Sequence, residues 1–255
     1  MKAFIPAKGY SRRLPRKNAK LMCGHPLTAW SIVQALSSKY VDEVYVSTDD
    51  DEIAEITLRY GGTVVWRNYE QGPDDGGGVP LYEGIKAIPI TDETFVNMFA
   101  TSPLRLPGMI DKMVEAYRPE MKVIGALGLE RETFIYKRLN DEEYDMVIGT
   151  KDYSYLKAQN STAITNTQYS IDTFEWSIEN IGITDTANDE YGAAVDRGEV
   201  ELISFDKIHN IKRYYFPVDM WQTWEPDTPE DFDVCGALLE TMILKGRSME
   251  EVYGA

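Results

Sequence analysis

The sequence predicts an α/β domain: a mostly parallel sheet flanked by helices, with a small β-rich insertion arm. Short apolar runs alternate with helix-period segments in β-α-β-α-β order up to Trp66, and strands separated by helices pair in parallel through right-handed crossovers. That rhythm breaks after Leu127, where Glu130 to Asn160 is polar and Tyr-rich around an Asn140-Asp141 turn signal. The length, 255 residues, suits one large domain or a core with a small insertion. The expectation is a single domain over residues 1–255 with an arm at about 130–160.

Lys2 to Ile5 reads as the first strand. Leu27, Trp30, Ile32, Val33, Ala35 and Leu36 recur at near-helical spacing, so Pro26 to Tyr40 reads as a helix, with Pro26 suited to its first turn. Glu43 to Ser47 is a strand, Asp51 to Tyr60 a helix stopped by Gly61-Gly62, and Thr63 to Trp66 a third strand. Arg67 to Gly78 reads as a loop. A helix at Val79 to Ile88, a strand at Thr94 to Ala100, a helix at Pro107 to Tyr117 and a strand at Lys122 to Leu127 continue the alternation. Thr165 to Ile171, Val200 to Phe205 and Tyr214 to Val218 read as further strands. Asp219 to Thr228 is a loop, Pro229 to Leu244 a closing helix, and the tail from Gly246 is expected to fray.

Charge is distributed unevenly along this frame. The chain carries 42 Asp and Glu against 26 Lys and Arg, yet its first acid is Asp42. Eight cations precede that residue, six of them between Lys8 and Lys20, leaving 18 cations against 42 acids in the remainder. An acidic bulk with one small basic patch argues against nucleic acid as partner, because a phosphate backbone needs an extended basic face. The Debye length at physiological salt is about 8 Å, so local cations decide whether an anion binds. No apolar run approaches the roughly 18 residues of a membrane span, and no secretory h-region is present, so a cytoplasmic location is the expectation. Cys23 and Cys235 lie far apart without CxxC spacing and are expected to be reduced thiols.

Ligands of open parallel sheets bind beyond the carboxyl ends of the strands. Four polar segments fall there: Lys8 to Asn18, Ser47 to Asp50, Arg67 to Gly78 and Thr101 to Arg105. The first contains neither GxxxxGK[ST] nor GxGxxG, which removes the P-loop and Rossmann-dehydrogenase readings. Gly9 and Ser11 can still offer backbone N–H groups and a hydroxyl to phosphate oxygens, with Lys17 as a mobile charge. Asp49, Asp50 and Asp51 open a helix and read as partners of its dipole rather than as a metal cluster. His25 belongs to a turn before Pro26, and Trp221 and Trp224 read as packing, with a pocket wall as the alternative.

The segment Ile5-Pro-Ala-Lys-Gly-Tyr-Ser-Arg-Arg-Leu-Pro-Arg-Lys-Asn18 resembles the signature IPARGGSxRLPxKN of the CMP-sialic acid synthetase (acylneuraminate cytidylyltransferase) family. The likeness continues through Gly24 to Ile32, Val46-Ser-Thr-Asp-Asp50, Glu52-Ile-Ala54, Tyr60-Gly61, Thr101-Ser-Pro-Leu-Arg105 and Asp227-Thr-Pro-Glu-Asp231. The resemblance implies a nucleotidyltransferase fold of GT-A-like, Rossmannoid type. It also implies attack of an acidic-sugar hydroxyl on the α-phosphate of CTP, with pyrophosphate leaving, Mg²⁺ as cofactor and a homodimer joined through the arm. It gives Ser11 and Lys17 to the triphosphate, with Lys8, Gly9, Arg12, Asn18 and Arg67 beside them, and makes Lys17 and Asp227 the catalytic pair. Phe99, Thr101, Ser102, Arg105 and Asn160 fall to the sugar.

The family's metal-binding Asp-x-Asp corresponds to Glu225-Pro226-Asp227. Residues i and i+2 of an extended segment face opposite ways, so both carboxylates can ligate only if Pro226 bends the chain. A helix cap is the competing reading for Asp227. The sequence departs from the signature at Lys8, at Tyr10, at Glu225 and at Phe99, where a sugar-facing glutamine is usual. These departures leave open a different acceptor, such as another keto-sugar acid or a phosphonate, or a catalytically silent nucleotide-binding protein.

Overall fold

The computed structural model describes residues 1–11, 13–67, 84–88, 94–130, 134–138, 144–149, 155–168 and 214–254. The expected strand at Val200 to Phe205 and the loop beyond Arg67 lie outside them. Among the described residues, the strands are β1 (Lys2–Pro6), β2 (Leu21–Met22), β3 (His25–Pro26), β4 (Glu43–Thr48), β5 (Thr63–Trp66), β6 (Thr94–Met98), β7 (Val123–Glu130), β8 (Phe134–Arg138), β9 (Tyr144–Gly149), β10 (Tyr155–Asn166) and β11 (Tyr214–Val218). The α-helices with both ends described are α1 (Leu27–Leu36), α2 (Asp51–Arg59), α3 (Met109–Ala116), α4 (Pro229–Leu238) and α5 (Met249–Tyr253), and residues 84–87 are also helical.

Seven strands form one sheet in the order β11-β7-β10-β6-β1-β4-β5. The pairs β6–β1, β1–β4, β4–β5 and β7–β11 are parallel, and β10 alone runs against its neighbours β6 and β7. The mostly parallel α/β prediction therefore holds. β1 lies inside the sheet, between β6 and β4, where its apolar residues suit burial on both faces. Ala3 and Ile5 join Ile32 and Ala35 of α1 on one face, while Phe4 joins Phe95, Ile85 and Ile88 on the other. β8 and β9 form a separate two-stranded antiparallel sheet between the long strands β7 and β10.

Nine of the ten residues of α1 are buried, because it lies between two apolar layers. Its far side carries Leu27, Trp30 and Val33, which pack with Phe232, Cys235, Leu239, Ile243, Met249 and Tyr253. The tail expected to fray is thus part of the core. After α4 the chain continues as a π-helical segment, Leu239–Leu244, and turns at Lys245 and Gly246, both with positive φ. A reciprocal Ser248/Glu251 capping box then starts α5. Tyr253 donates its phenol to the Arg105 carbonyl at 2.7 Å and accepts from Gln34 Nε2 at 3.1 Å.

Candidate active site

The cation-rich segment leaves β1 at the carboxyl edge of the sheet, where the Ala7 amide donates to the Ser47 carbonyl at 2.9 Å. Side chains then fix its course. Asn18, only 7% exposed, donates from Nδ2 to the Lys8 carbonyl at 2.9 Å, and its own carbonyl accepts from Thr28 Oγ1 at 2.9 Å. The loop is therefore pinned across its neck and to α1. The remaining oxygen, Asn18 Oδ1, is buried with no hydrogen-bond partner among the described residues. The chain reverses at Arg16, in the left-handed region with φ 59° and ψ 26°, and enters a short 3-10 turn, Lys17–Ala19, that presents Lys17.

The turn between β4 and α2 meets this loop from the neighbouring strand. The Gly9 amide donates to Asp49 Oδ1 at 2.8 Å, so this N–H is committed to protein rather than offered to a phosphate as expected. A Cβ at residue 9 would lie 2.5 Å from Asp50 Oδ2, so the close approach demands glycine. Asp50 caps α2 by accepting from the Ile53 amide at 3.0 Å, matching the helix-partner reading of these acids. It also receives the Arg16 guanidinium. Arg67 reaches the same edge, donating to the hydroxyl and the carbonyl of Ser47, each at 3.2 Å. Tyr10 is 48% exposed. Arg12 lies outside the described residues.

The second wall comes from the other end of the chain. Asp227 receives Lys17 Nζ on Oδ1 at 2.8 Å and Arg13 on Oδ2 at 3.0 Å, one cation per carboxylate oxygen. The cap reading for Asp227 fails, because Thr228 caps α4 in a reciprocal box with Asp231. Pro226 supplies the bend that the sequence required, since the Asp227 amide donates to the Glu225 carbonyl at 3.0 Å across a three-residue turn. The Glu225 carboxylate is nonetheless engaged inward, accepting from the buried Ser102 hydroxyl. Cys235 donates its thiol to the Trp224 carbonyl at 3.4 Å, and burial pushes that thiol up to about 12, so it stays protonated beneath the segment. Both cysteines are free, as their spacing suggested.

Arg105 is the largest departure from expectation. Expected to meet the sugar, it is instead 1% exposed and fully committed to protein. Its guanidinium donates to Thr162 Oγ1 at 2.5 Å, Ser31 Oγ at 2.9 Å, Gln34 Oε1 at 3.1 Å and the Phe99 carbonyl at 2.9 Å. Burial lowers its pKa to about 9, against the opposing pull of Glu225, so it remains a cation at neutral pH. Buried charge persists only with such pairing. Arg105 therefore holds the Phe99-to-Leu106 loop from behind, and Ser102 ties that loop to Glu225. Trp221 packs in the core, whereas Trp224 is half-exposed. Phe99 and Thr101 are partly buried at the end of β6, and Asn160 stands opposite Ala126 on β10, immediately before a register shift.

The description "Cytidylyltransferase" fits the family model that matches residues 3–175, well over half of the chain. The chain belongs to this cytidylyltransferase family. It is 36% identical over 121 residues to a CMP-N,N'-diacetyllegionaminic acid synthase of Legionella pneumophila, covering 46% of this chain and 52% of that one. It is 32% identical over 119 residues to a pseudaminic acid cytidylyltransferase of Campylobacter jejuni, covering 45% and 51% respectively. An N-acylneuraminate cytidylyltransferase of Streptococcus agalactiae is 31% identical over 156 residues, covering 59% of this chain and 38% of that one. The matches thus span about half, or less, of these curated relatives. Among solved structures, a CMP:2-keto-3-deoxy-manno-octonic acid synthetase complexed with CTP superposes with a TM-score of 0.65 at 19% identity, covering 94% of this chain and 98% of that one. A 4-diphosphocytidyl-2C-methyl-D-erythritol synthase of Anaerococcus prevotii gives 0.64 at 15% identity, covering 94% and 97%. These two likenesses establish the nucleotidyltransferase fold of the family. No helix among the described residues is long and apolar enough to cross a membrane.

Proposed function

We propose that the protein transfers the cytidylyl group of CTP to a hydroxyl of an acidic sugar of the nonulosonic type. The sugar oxygen forms a bond to the α-phosphorus, the bond to the β-phosphate oxygen breaks, and pyrophosphate leaves. One observation carries the reading: Lys17 and Asp227, 210 residues apart in sequence, meet at 2.8 Å. They sit on the two segments that the family resemblance gives to phosphate and to metal. The names of the relatives, which concern legionaminic, pseudaminic and acylneuraminic acids, support the acceptor class.

The chain's own contribution is placement and charge, which carry most of the work in phosphoryl-type transfer. Lys17 and Arg13 release Asp227 and take phosphate oxygens, while Ser11, Lys8 and Arg12 supply further donors from the same loop. Asn18 holds the loop's neck, and Arg67 serves the nucleotide from the end of β5. Phe99, Thr101 and Asn160 face the acceptor. Arg105 and Ser102 keep that wall in place from behind. Phe99, with an apolar ring where the family usually has glutamine, favours an acceptor altered at that contact.

No group of three or more potential ligands that could hold a metal occurs among the described residues. Mg²⁺ is usually held by one or two carboxylates together with substrate phosphates and water, so Asp227, with Glu225 after it leaves Ser102, fits an ion arriving with the triphosphate. When bound, the ion would neutralise charge developing on the phosphates. By the same reading, the β8–β9 hairpin meets a second copy of the chain. Sedimentation of the protein without residues 134–149 tests this, with loss of the dimer expected. The activity is tested by pyrophosphate release from CTP and Mg²⁺ across a panel of acidic sugars and phosphonates. Release with a nonulosonic acid is expected, and CTP binding without release for any acceptor would leave only a nucleotide-binding protein.

A further inference from the structure

Arg16 sits in the middle of the cation cluster, yet its guanidinium points away from the two residues that meet Asp227. It spans both carboxylate oxygens of Asp50, at 3.0 Å to Oδ1 and in contact with Oδ2, and also reaches Glu52. Asp50 is chiefly held ionised by this contact. Asp49, the preceding residue, takes the Gly9 amide. The β4–α2 turn thus grips the loop at two points, one on each side of Ser11. At the first of those points a side chain on residue 9 would strike Asp50.

We propose that Arg16 is a positioning residue: its pairing with Asp50, reinforced by the Gly9–Asp49 hydrogen bond, latches the phosphate loop to α2 and thereby sets Lys17. The left-handed backbone at Arg16 is unfavourable for a residue with a side chain and persists only where the surroundings enforce it. The latch is that enforcement. The Arg16 carbonyl accepts from the amides of Ala19 and Lys20, each at 3.0 Å, so the same residue closes the 3-10 turn that carries Lys17. Two acids, Asp50 and Glu52, hold the guanidinium, which disfavours a phosphate there. Arg16 therefore serves structure, while its neighbours Arg13 and Lys17 meet at Asp227.

The inference rests on the function proposed above, and the test separates the two. Asp50→Asn removes the charge but keeps a good N-cap acceptor for α2. CTP binding with Mg²⁺ is measured by calorimetry, and KM and kcat by turnover, for Arg16→Ala, Arg16→Lys, Asp50→Asn and the Arg16→Ala/Asp50→Asn double variant. The latch predicts that Arg16→Ala and Asp50→Asn each weaken CTP binding by about 10-fold, the scale of one charge-assisted contact. It predicts that KM shifts more than kcat, that the double variant is no worse than the worse single variant, and that Arg16→Lys recovers only part because the two-point contact is lost. An Arg16 that itself grips phosphate gives the opposite sign at residue 50, because Asp50→Asn would free it and leave CTP binding unchanged or tighter. Lowered melting temperatures with unchanged KM would also overturn the proposal. If the wild-type protein binds no CTP, the function fails, and the latch is judged by thermal unfolding alone: non-additive losses at residues 16 and 50 support it, additive ones reject it.

Discussion

Replacing Lys17 by alanine separates ligand binding from stability in one variant. Lys17 is 13% exposed and pairs with Asp227, whose side chain is 35% exposed and already shared with Arg13 at 3.0 Å. Removing the lysine leaves that carboxylate with one cation and access to water. The stability loss is therefore that of a partly solvated pair, about 1 kcal/mol or less. A triphosphate meets a different balance, because it adds several negative charges at the same spot. There the missing charge-assisted contact is worth roughly 1.5 to 3 kcal/mol. That range corresponds to about 10- to 150-fold weaker CTP binding. Calorimetric titration with CTP and Mg²⁺, run beside thermal unfolding of the same preparations, reads both numbers. Unchanged affinity would remove Lys17 from the site. A stability loss as large as the affinity loss would make it an ordinary structural ion pair.

Asp227→Asn has a signed consequence, since the carboxylate competes with phosphate for Lys17 and Arg13: CTP binding without metal should be unchanged or tighter, and the gain in affinity from Mg²⁺ should vanish. Titrations with and without the ion check this. Tyr253→Phe leaves the buried Arg105 carbonyl and Gln34 amide each short of a partner and should cost about 1 to 3 kcal/mol. The melting temperature should fall by about 2 to 4 °C for each kcal/mol. The Asp50 carboxyl is held below its usual value of 3.8 by Arg16, so the stability it contributes is present above that pH and is lost as pH falls through the lowered value. Asp50→Asn should therefore show a shallower acid limb below about pH 4 in pH-dependent unfolding, and an unchanged limb would refute the pairing.

Much of the frame was legible because its signal is local. β1, α1, β4, α2 and β5 each carry an apolar period matching their secondary structure, and Gly61, with φ 85°, ends α2 where the sequence suggested. The β2–β3 hairpin was not legible, because strands of two residues have no period to detect. Its signal is conformational: Cys23 and Gly24 both have positive φ, as a two-residue turn between paired strands requires. The docked tail was hidden for another reason. Its anchor, Tyr253, finds partners only once α1 and the Arg105 loop are folded against each other.

The site divides in the same way. Clustering of cations and the loop motif marked Lys17, and the motif near residue 227 marked its partner, although nothing in one sequence says that the two touch. Arg105 was assigned to the sugar through the family resemblance of Thr101-Ser-Pro-Leu-Arg105, whereas here four internal acceptors hold it. Arg13 and Arg16 differ by three positions and look equivalent in sequence. The left-handed turn at Arg16 sends one to Asp227 and the other to Asp50. Glu225 is likewise turned inward by a hydroxyl, Ser102, that lies 123 residues away.

The central claim is cytidylyl transfer, and the fate of the α-phosphorus tests it most directly. CTP labelled at that phosphorus is incubated with the protein, Mg²⁺ and a nonulosonic acid such as legionaminic or acylneuraminic acid, and the products are separated. The account predicts label in a CMP–sugar conjugate, with one unlabelled pyrophosphate released per conjugate. Label recovered only as CTP across the acceptor panel, while CTP binds, would contradict it.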